Sequence, residues 1–214
     1  MRYSAYLFDF DGTLVDSMPS YISVMLRILD ENGVEYGEDL IKVITPLGYA
    51  GTAKYYTQKL GLKMPEDEIV ALMKRYAYDE YAHRIEAKPE VAETLFTLSE
   101  LGADLFVLTA SPHEVLDVCL ERLGLFDLFK GVWSCEDFGT TKSDPEIYRM
   151  AAERIGKPVS EILFLDDNYN ADKTAALAGM RVCGVYDHSS REYEGEIRAV
   201  THHYIERFGE ILEW

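Results

Sequence analysis

Four short apolar runs, Tyr6–Phe10, Leu105–Leu108, Ile162–Leu165 and Val182–Val185, each give way to polar residues at their C-terminal ends. Uninterrupted apolar runs of this length read as strands buried on both faces of a parallel sheet. Between the later runs lie helical stretches, Pro112–Leu123 and Pro145–Ile155, so helix and strand alternate from Glu90 onward. That alternation dictates an α/β fold with a doubly wound parallel sheet, a Rossmann-like core. Gly131–Ser134 adds a short strand, and Thr201–Ile205 a weaker one near the C-terminus.

The stretch from Ser17 to about Arg84 breaks the alternation. It offers no strand, and Ile22, Met25, Leu26 and Leu29 recur at helical spacing. It is expected to be an inserted helical unit, with Ser17 as N-cap of its first helix and Gly33, Pro46-Leu47-Gly48, Gly51, Gly61 and Pro65 dividing the rest. The domain expectation is therefore a core of residues 1–16 and 86–214 interrupted by a helical cap of residues 17–85. At 214 residues the chain can bury one sizeable core with such an insertion.

Charge restricts the partners. The sequence holds 21 Lys+Arg against 38 Asp+Glu, a net charge of −17, and such a surface repels phosphate backbones and anionic lipid headgroups. Nucleic-acid and membrane binding are excluded on this reading, whereas a small anion remains open if a local cation overrides the field. Cys119, Cys135 and Cys183 are odd in number and form no C-x-x-C pair, which fits a reduced, cytoplasmic setting. The N-terminal apolar run meets Asp9 too soon for a signal peptide or a membrane span.

In an open α/β sheet, ligands bind beyond the carboxyl ends of the strands, and three of these ends carry reactive groups. The first reads Asp9-Phe10-Asp11-Gly12-Thr13, the second Thr109-Ala110-Ser111, and a later one Asp166-Asp167. Lys142 follows the third strand in a Gly/Thr-rich loop. On an extended segment Asp9 and Asp11 point to one side, and Gly12 permits a sharp exit. Like charges so close require a counter-charge, and together with Asp166 and Asp167 they form a set of hard oxygen donors suited to Mg²⁺. Taken singly the pieces are bland: a turn, a helix cap, a surface lysine. Their order and shared placement at strand ends carry the inference.

Those four segments resemble the motifs of the haloacid dehalogenase superfamily of phosphohydrolases, and the resemblance runs on through Leu14-Val15-Asp16-Ser17, Lys142-Ser143-Asp144-Pro145 and Ala178-Gly179-Met180. It implies a Mg²⁺-dependent phosphatase acting on a small phosphorylated metabolite, as a monomer or homodimer. Asp9 would be the nucleophile that becomes an aspartyl-phosphate, and Asp11 the general acid and base, a carboxyl neutral part of the time near pH 7. Lys142 would neutralise phosphoryl oxygens, while Thr109, Ser111 and the Ala110 backbone hold the phosphoryl group. Asp9, the Asp11 backbone carbonyl, Asp167 and, directly or through water, Asp166 would ligate the metal. Many relatives carry a further Asp or Asn where this chain has Ala171; flanking Asn170 or Asp172 could take over its support.

The same resemblance makes the insertion a lid that selects substrate, since 98 positions (109 − 11) separate Asp11 from Thr109 and only 31 (142 − 111) separate Ser111 from Lys142. The Pro46–Gly51 turn, with Gly48, Tyr49 and Gly51, and the following Thr52 and Lys54 are the cap residues expected to face substrate. Tyr55, Tyr56, Tyr76, Tyr78 and Tyr81 read as packing or surface aromatics. Alternatives are a sugar phosphomutase resembling β-phosphoglucomutase, whose cap histidine is missing from Ser17–Tyr21, and a catalytically silent binding protein. Asp11 speaks against dehalogenase and phosphonatase members, which do not keep that second aspartate.

Overall fold

The computed structural model describes residues 3–44 and 47–213. Six parallel strands form one sheet in the order β3-β2-β1-β4-β5-β6. They are β1 (Ala5–Phe8), β2 (Asp104–Thr109), β3 (Gly131–Ser134), β4 (Ile162–Asp166), β5 (Arg181–Val185) and β6 (His203–Ile205). Register pairs Phe8 with both Val107 and Leu165. The ends of β1, β2 and β4 therefore open side by side, which brings Asp9, Thr109 and Asp166 to one edge. The sheet order runs outward in both directions from β1, and this reversal between β1 and β4 is where an α/β sheet forms a ligand crevice.

The core follows from the pleat. Ala5 and Leu7, Phe106 and Leu108, and Ile162 and Phe164 share one face, where they are buried with Ile147, Tyr148 and Ala151 of α7 (Pro145–Ile155) and Ala171, Ala175 and Ala178 of α8 (Tyr169–Ala178). On the opposite face Phe8 meets Phe129 and Phe208, and α5 (Val91–Glu100) lies against β2. Helices α6 (His113–Arg122) and α9 (Glu194–Val200) complete the layers. Burial of both faces is what the uninterrupted apolar strands anticipate.

The chain separates into two compact units: one runs through Ser17 and resumes at Ile85, and the other is Met18–Arg84. The second unit's regular elements among the described residues are all helices, α1 (Met18–Glu31), α2 (Leu40–Ile44), α3 (Gly48–Gln58) and α4 (Glu66–His83). Its own core gathers Met25, Ile28, Leu29, Ala53, Tyr56, Ile69 and Met73, and the Tyr56 hydroxyl donates to the Met25 carbonyl at 2.9 Å. Tyr56 and Tyr76 are packing residues, whereas Tyr78 is exposed. No helix among the described residues is long and apolar enough to cross a membrane. The three cysteines are free and buried.

Three local expectations need correction. Strand β1 stops at Phe8 instead of Phe10, because the Phe10 carbonyl accepts from Leu14 and Val15 in a turn and is lost to the ladder. Gly48–Gly51 is the opening of helix α3 and not an extended glycine turn: Gly48 makes the sharp entrance at φ +63°, and Gly51 is inside the helix. Thr52 is fully buried and donates to the Ile44 carbonyl, so it serves the helical unit's core; Tyr49 is partly buried against the same core, and Lys54 is exposed. Pro46 lies outside the described residues. Ser17 does precede α1, but its buried hydroxyl finds no hydrogen-bond partner among the described residues, so it does not cap the helix.

Candidate active site

Asp9 is the first residue past β1, and its amide donates to the Leu165 carbonyl at 2.8 Å, which pins it beside the end of β4. Asp166 is the last residue of β4 and Asp167 the next. All three are buried, and oxygens of their carboxylates lie within 4.8 Å of one another. Lys142 reaches into this cluster from the loop before α7, donating to Asp9 Oδ1 and, at 2.9 Å, to Asp166 Oδ2. Its loop is held from behind: the Tyr148 hydroxyl on α7 lies 3.1 Å from each of the Lys142 and Ala171 carbonyls and shares its proton between them.

The sharp exit after Asp11 is needed sterically. Gly12 has φ +75°, and a Cβ there would sit 2.7 Å from Asp167 Oδ2; only glycine lets the backbone approach this carboxylate so closely. Thr13 Oγ1 then donates to Asp167 Oδ1 at 3.3 Å. Asp11 is oriented differently from Asp9. Its carboxylate accepts from the Ser111 hydroxyl at 2.5 Å, while the Ser111 amide donates to Thr109 Oγ1 at 3.0 Å. The sequence-predicted residues thus fall into two contact groups, Asp9, Asp166, Asp167 and Lys142 in one and Asp11, Ser111 and Thr109 in the other.

Electrostatics set these groups apart from ordinary carboxylates. Burial, together with repulsion from Asp166, outweighs the attraction of Lys142 and pushes Asp9 up to about 8. Burial and the charges of Asp166 and Asp9 hold Asp167 far above its usual range. Burial alone would pull the Lys142 ammonium down, but Asp166 and Asp9 more than offset this and raise it, so it stays charged. Fully ionised, the three carboxylates would carry more negative charge than their one lysine neutralises, and in a low-dielectric site Asp9 and Asp167 hold on to protons instead. Three carboxylates with oxygen donors only fit a hard divalent cation such as Mg²⁺.

Sequence reading missed Asn168, Lys88 and Asp187, and named Asp172 without its depth. Asn168, not the Asp166-Asp167 pair, caps α8: its side chain accepts from the amides of Asn170 and Ala171, while Asp166 Oδ1 takes the Asn168 amide at 2.7 Å. Asp172 is fully buried in the first turn of α8, and its carboxylate has no hydrogen-bond partner among the described residues. Burial and the charges of Asp166 and Asp167 raise its proton affinity strongly. An Asp one place past Ala171 was visible in the sequence, but its depth was not. Lys88 holds the Gly12 carbonyl and pairs with Asp187, and no local signal tied either to the site.

A family model for haloacid dehalogenase-like hydrolases matches residues 3–179. Among curated proteins, the chain is 28% identical over 186 residues to the pyrophosphatase PpaX of Bacillus velezensis, covering 86% of this chain and 83% of that one. It is 26% identical over 186 residues to phosphoglycolate phosphatase of Haemophilus influenzae, covering 83% of each. Among solved structures, the HAD-hydrolase YfnB of Bacillus subtilis bound to magnesium shares the fold, with a TM-score of 0.79 and 18% identity over 100% of this chain and 98% of that one.

Proposed function

This chain belongs to the haloacid dehalogenase-like hydrolase family and is a phosphoric monoester hydrolase; we propose that it is a Mg²⁺-dependent phosphatase releasing phosphate from a small phosphorylated metabolite through an aspartyl-phosphate. The observation that carries this reading is the buried Asp9–Asp166–Asp167 group crossed by Lys142, with Asp11, two residues past Asp9, held on Ser111. The names of the curated relatives and the magnesium bound to YfnB support it.

In this reading an Asp9 oxygen attacks phosphorus in line with the ester oxygen, the P–O bond to the alcohol breaks, and Asp11 gives the leaving oxygen its proton. A water then attacks the acyl phosphate, Asp11 takes its proton, and phosphate leaves with Asp9 regenerated. The Ser111 hydroxyl fixes the Asp11 carboxyl so that one group faces both the departing alcohol and the incoming water. Lys142 spans Asp9 and Asp166, holding the nucleophile in place and neutralising charge that develops on the phosphoryl oxygens. Thr109, Ser111 and the Ala110 backbone line the place of those oxygens. Mg²⁺, held by Asp9, the Asp11 carbonyl, Asp166 and Asp167, would supply the positive charge that keeps Asp9 ionised and draws phosphate into an acidic site. Selection of the metabolite is assigned to the helical unit, Met18–Arg84, as a cap.

Hydrolysis of a panel of phosphate esters, with Mg²⁺ and with chelator, in the native chain and in Asp9→Asn tests the reading. Metal-dependent phosphate release that vanishes in the variant is expected. Phosphate release that persists in Asp9→Asn contradicts the nucleophile, and isomerisation of sugar phosphates without phosphate release would reassign the protein as a mutase.

A further inference from the structure

Lys88 lies where the chain leads into α5, in no strand-end motif, yet its side chain is only 16% exposed. Its ammonium donates to the Gly12 carbonyl at 2.7 Å, the Tyr186 carbonyl at 2.6 Å and Asp187 Oδ2 at 3.0 Å. A lysine ammonium has three N–H groups, and each has an acceptor here. Both ends of the arrangement are rigid. The Lys88 amide donates to the Leu14 carbonyl at 2.9 Å, and Asp187 Oδ1 accepts from the Ser189 amide and hydroxyl at 2.8 and 2.6 Å.

Burying an ammonium costs several kcal/mol unless it is paired, so a tie between two loops would more cheaply be made by a neutral donor. What Lys88 grips explains the expense. Gly12 follows Asp11 directly, and its backbone stands so close to Asp167 that no side chain fits between them. The Gly12–Thr13 peptide held by Lys88 therefore begins directly after the acid–base residue, and its Gly12 end packs on a carboxylate of the acidic cluster. A shift of this peptide moves Asp11 through the chain and Asp167 through the packing contact.

We infer that Lys88 is a positioning residue of the active site, which fixes the Gly12–Thr13 peptide, one residue past Asp11, against the loop after β5 and thereby sets the geometry of Asp11 and Asp167. The inference rests on the phosphatase reading for its activity readout, but its binding readout does not. Lys88→Met removes all three bonds; Lys88→Gln keeps two N–H donors on one nitrogen with a shorter reach; Asp187→Asn leaves both carbonyl bonds intact. Groups that orient ligands and reacting residues typically carry about 10–100-fold in metal affinity or rate.

The experiment measures, on each purified full chain, Mg²⁺ affinity by calorimetry, kcat and KM for p-nitrophenyl phosphate, and the folded fraction by thermal unfolding. Lys88→Met is expected to weaken Mg²⁺ binding and lower kcat by about 10–100-fold each, with KM changed far less and with Asp187→Asn losing much less of both. Should Lys88→Met not fold, Lys88→Gln carries the same comparison. Mg²⁺ affinity and kcat that stay at native values in the folded lysine variants, or that fall only with the folded fraction, overturn the inference. A native chain that binds Mg²⁺ but turns over no ester sinks the phosphatase reading instead, and Lys88 is then judged on Mg²⁺ affinity alone.

Discussion

Adding one methyl group at Gly12 tests whether the close approach of backbone to Asp167 is a working part of the site. Two costs arise. Gly12 has φ +75°, a left-handed conformation that costs an L-residue roughly 1–2 kcal/mol. The new Cβ would also stand 2.7–2.8 Å from three atoms of the Asp167 carboxylate, which must retreat by about 0.7 Å to reach ordinary contact near 3.4 Å. Overpacking of this kind adds roughly 1–3 kcal/mol, and the retreat stretches the 3.3 Å bond from Thr13. Gly12→Ala should therefore lose about 3 kcal/mol in all, or roughly 6–12 °C in Tm for a chain of this size. Gly156→Ala is the internal control, since Gly156 has a similar φ of +76° with nothing within 4 Å of its would-be Cβ; it should lose only the backbone share. Denaturant unfolding of both variants gives the stability difference, and calorimetric titration with Mg²⁺ gives the functional one, expected at about 10-fold or more for Gly12→Ala and nil for Gly156→Ala. Equal stability losses in the two variants, with native Mg²⁺ affinity in Gly12→Ala, would refute the reasoning.

Three further outcomes follow from the same geometry. Tyr148→Phe removes the hydroxyl shared by the Lys142 and Ala171 carbonyls, so it should cost about 1–2 kcal/mol in urea unfolding and lower kcat through a loosened Lys142. Ser111→Ala frees the Asp11 carboxyl; kcat is expected to fall about 10-fold or more while the Mg²⁺ affinity holds. Without metal, folded Asp9, Asp167 and Asp172 keep protons that the unfolded chain releases near its ordinary carboxylate range. The folded state then binds more protons than the unfolded one, so stability should decline as pH rises from about 5 to about 8. Lys142, raised above its already high usual value, does not titrate in that window, and Mg²⁺ should flatten the decline; a stability that rises with pH in chelator would contradict the cluster's electrostatics.

What the sequence made legible was what strands impose. Apolar runs with no polar break located β1, β2, β4 and β5, and the rule that ligands sit past strand ends led to Asp9, Thr109, Asp166 and Asp167 before any coordinates. Boundaries that depend on which carbonyl a turn captures were not legible, as with Phe10, whose carbonyl leaves the ladder for Leu14 and Val15. Glycines misled in the helical unit, because Gly51 is tolerated inside α3 where a loop was expected. Residues that act across long separations left no trace either: Lys88 meets Gly12 over 76 positions and Tyr186 over 98, and only the register of the sheet brings them together. The burial of Asp172 is of the same kind, a polar residue on the inward side of a helix whose alanines set the face.

The central claim is that Asp9 carries the phosphoryl group between the two halves of the reaction. Acid-quenching the Mg²⁺-loaded enzyme during turnover of its best ester, followed by peptide mapping, measures this directly. A phosphoryl group on Asp9 that appears and decays at rates consistent with turnover, and that is missing from Asp9→Asn, is the predicted result. Steady turnover with no phosphorylated peptide, or with the group on another residue, would contradict the account.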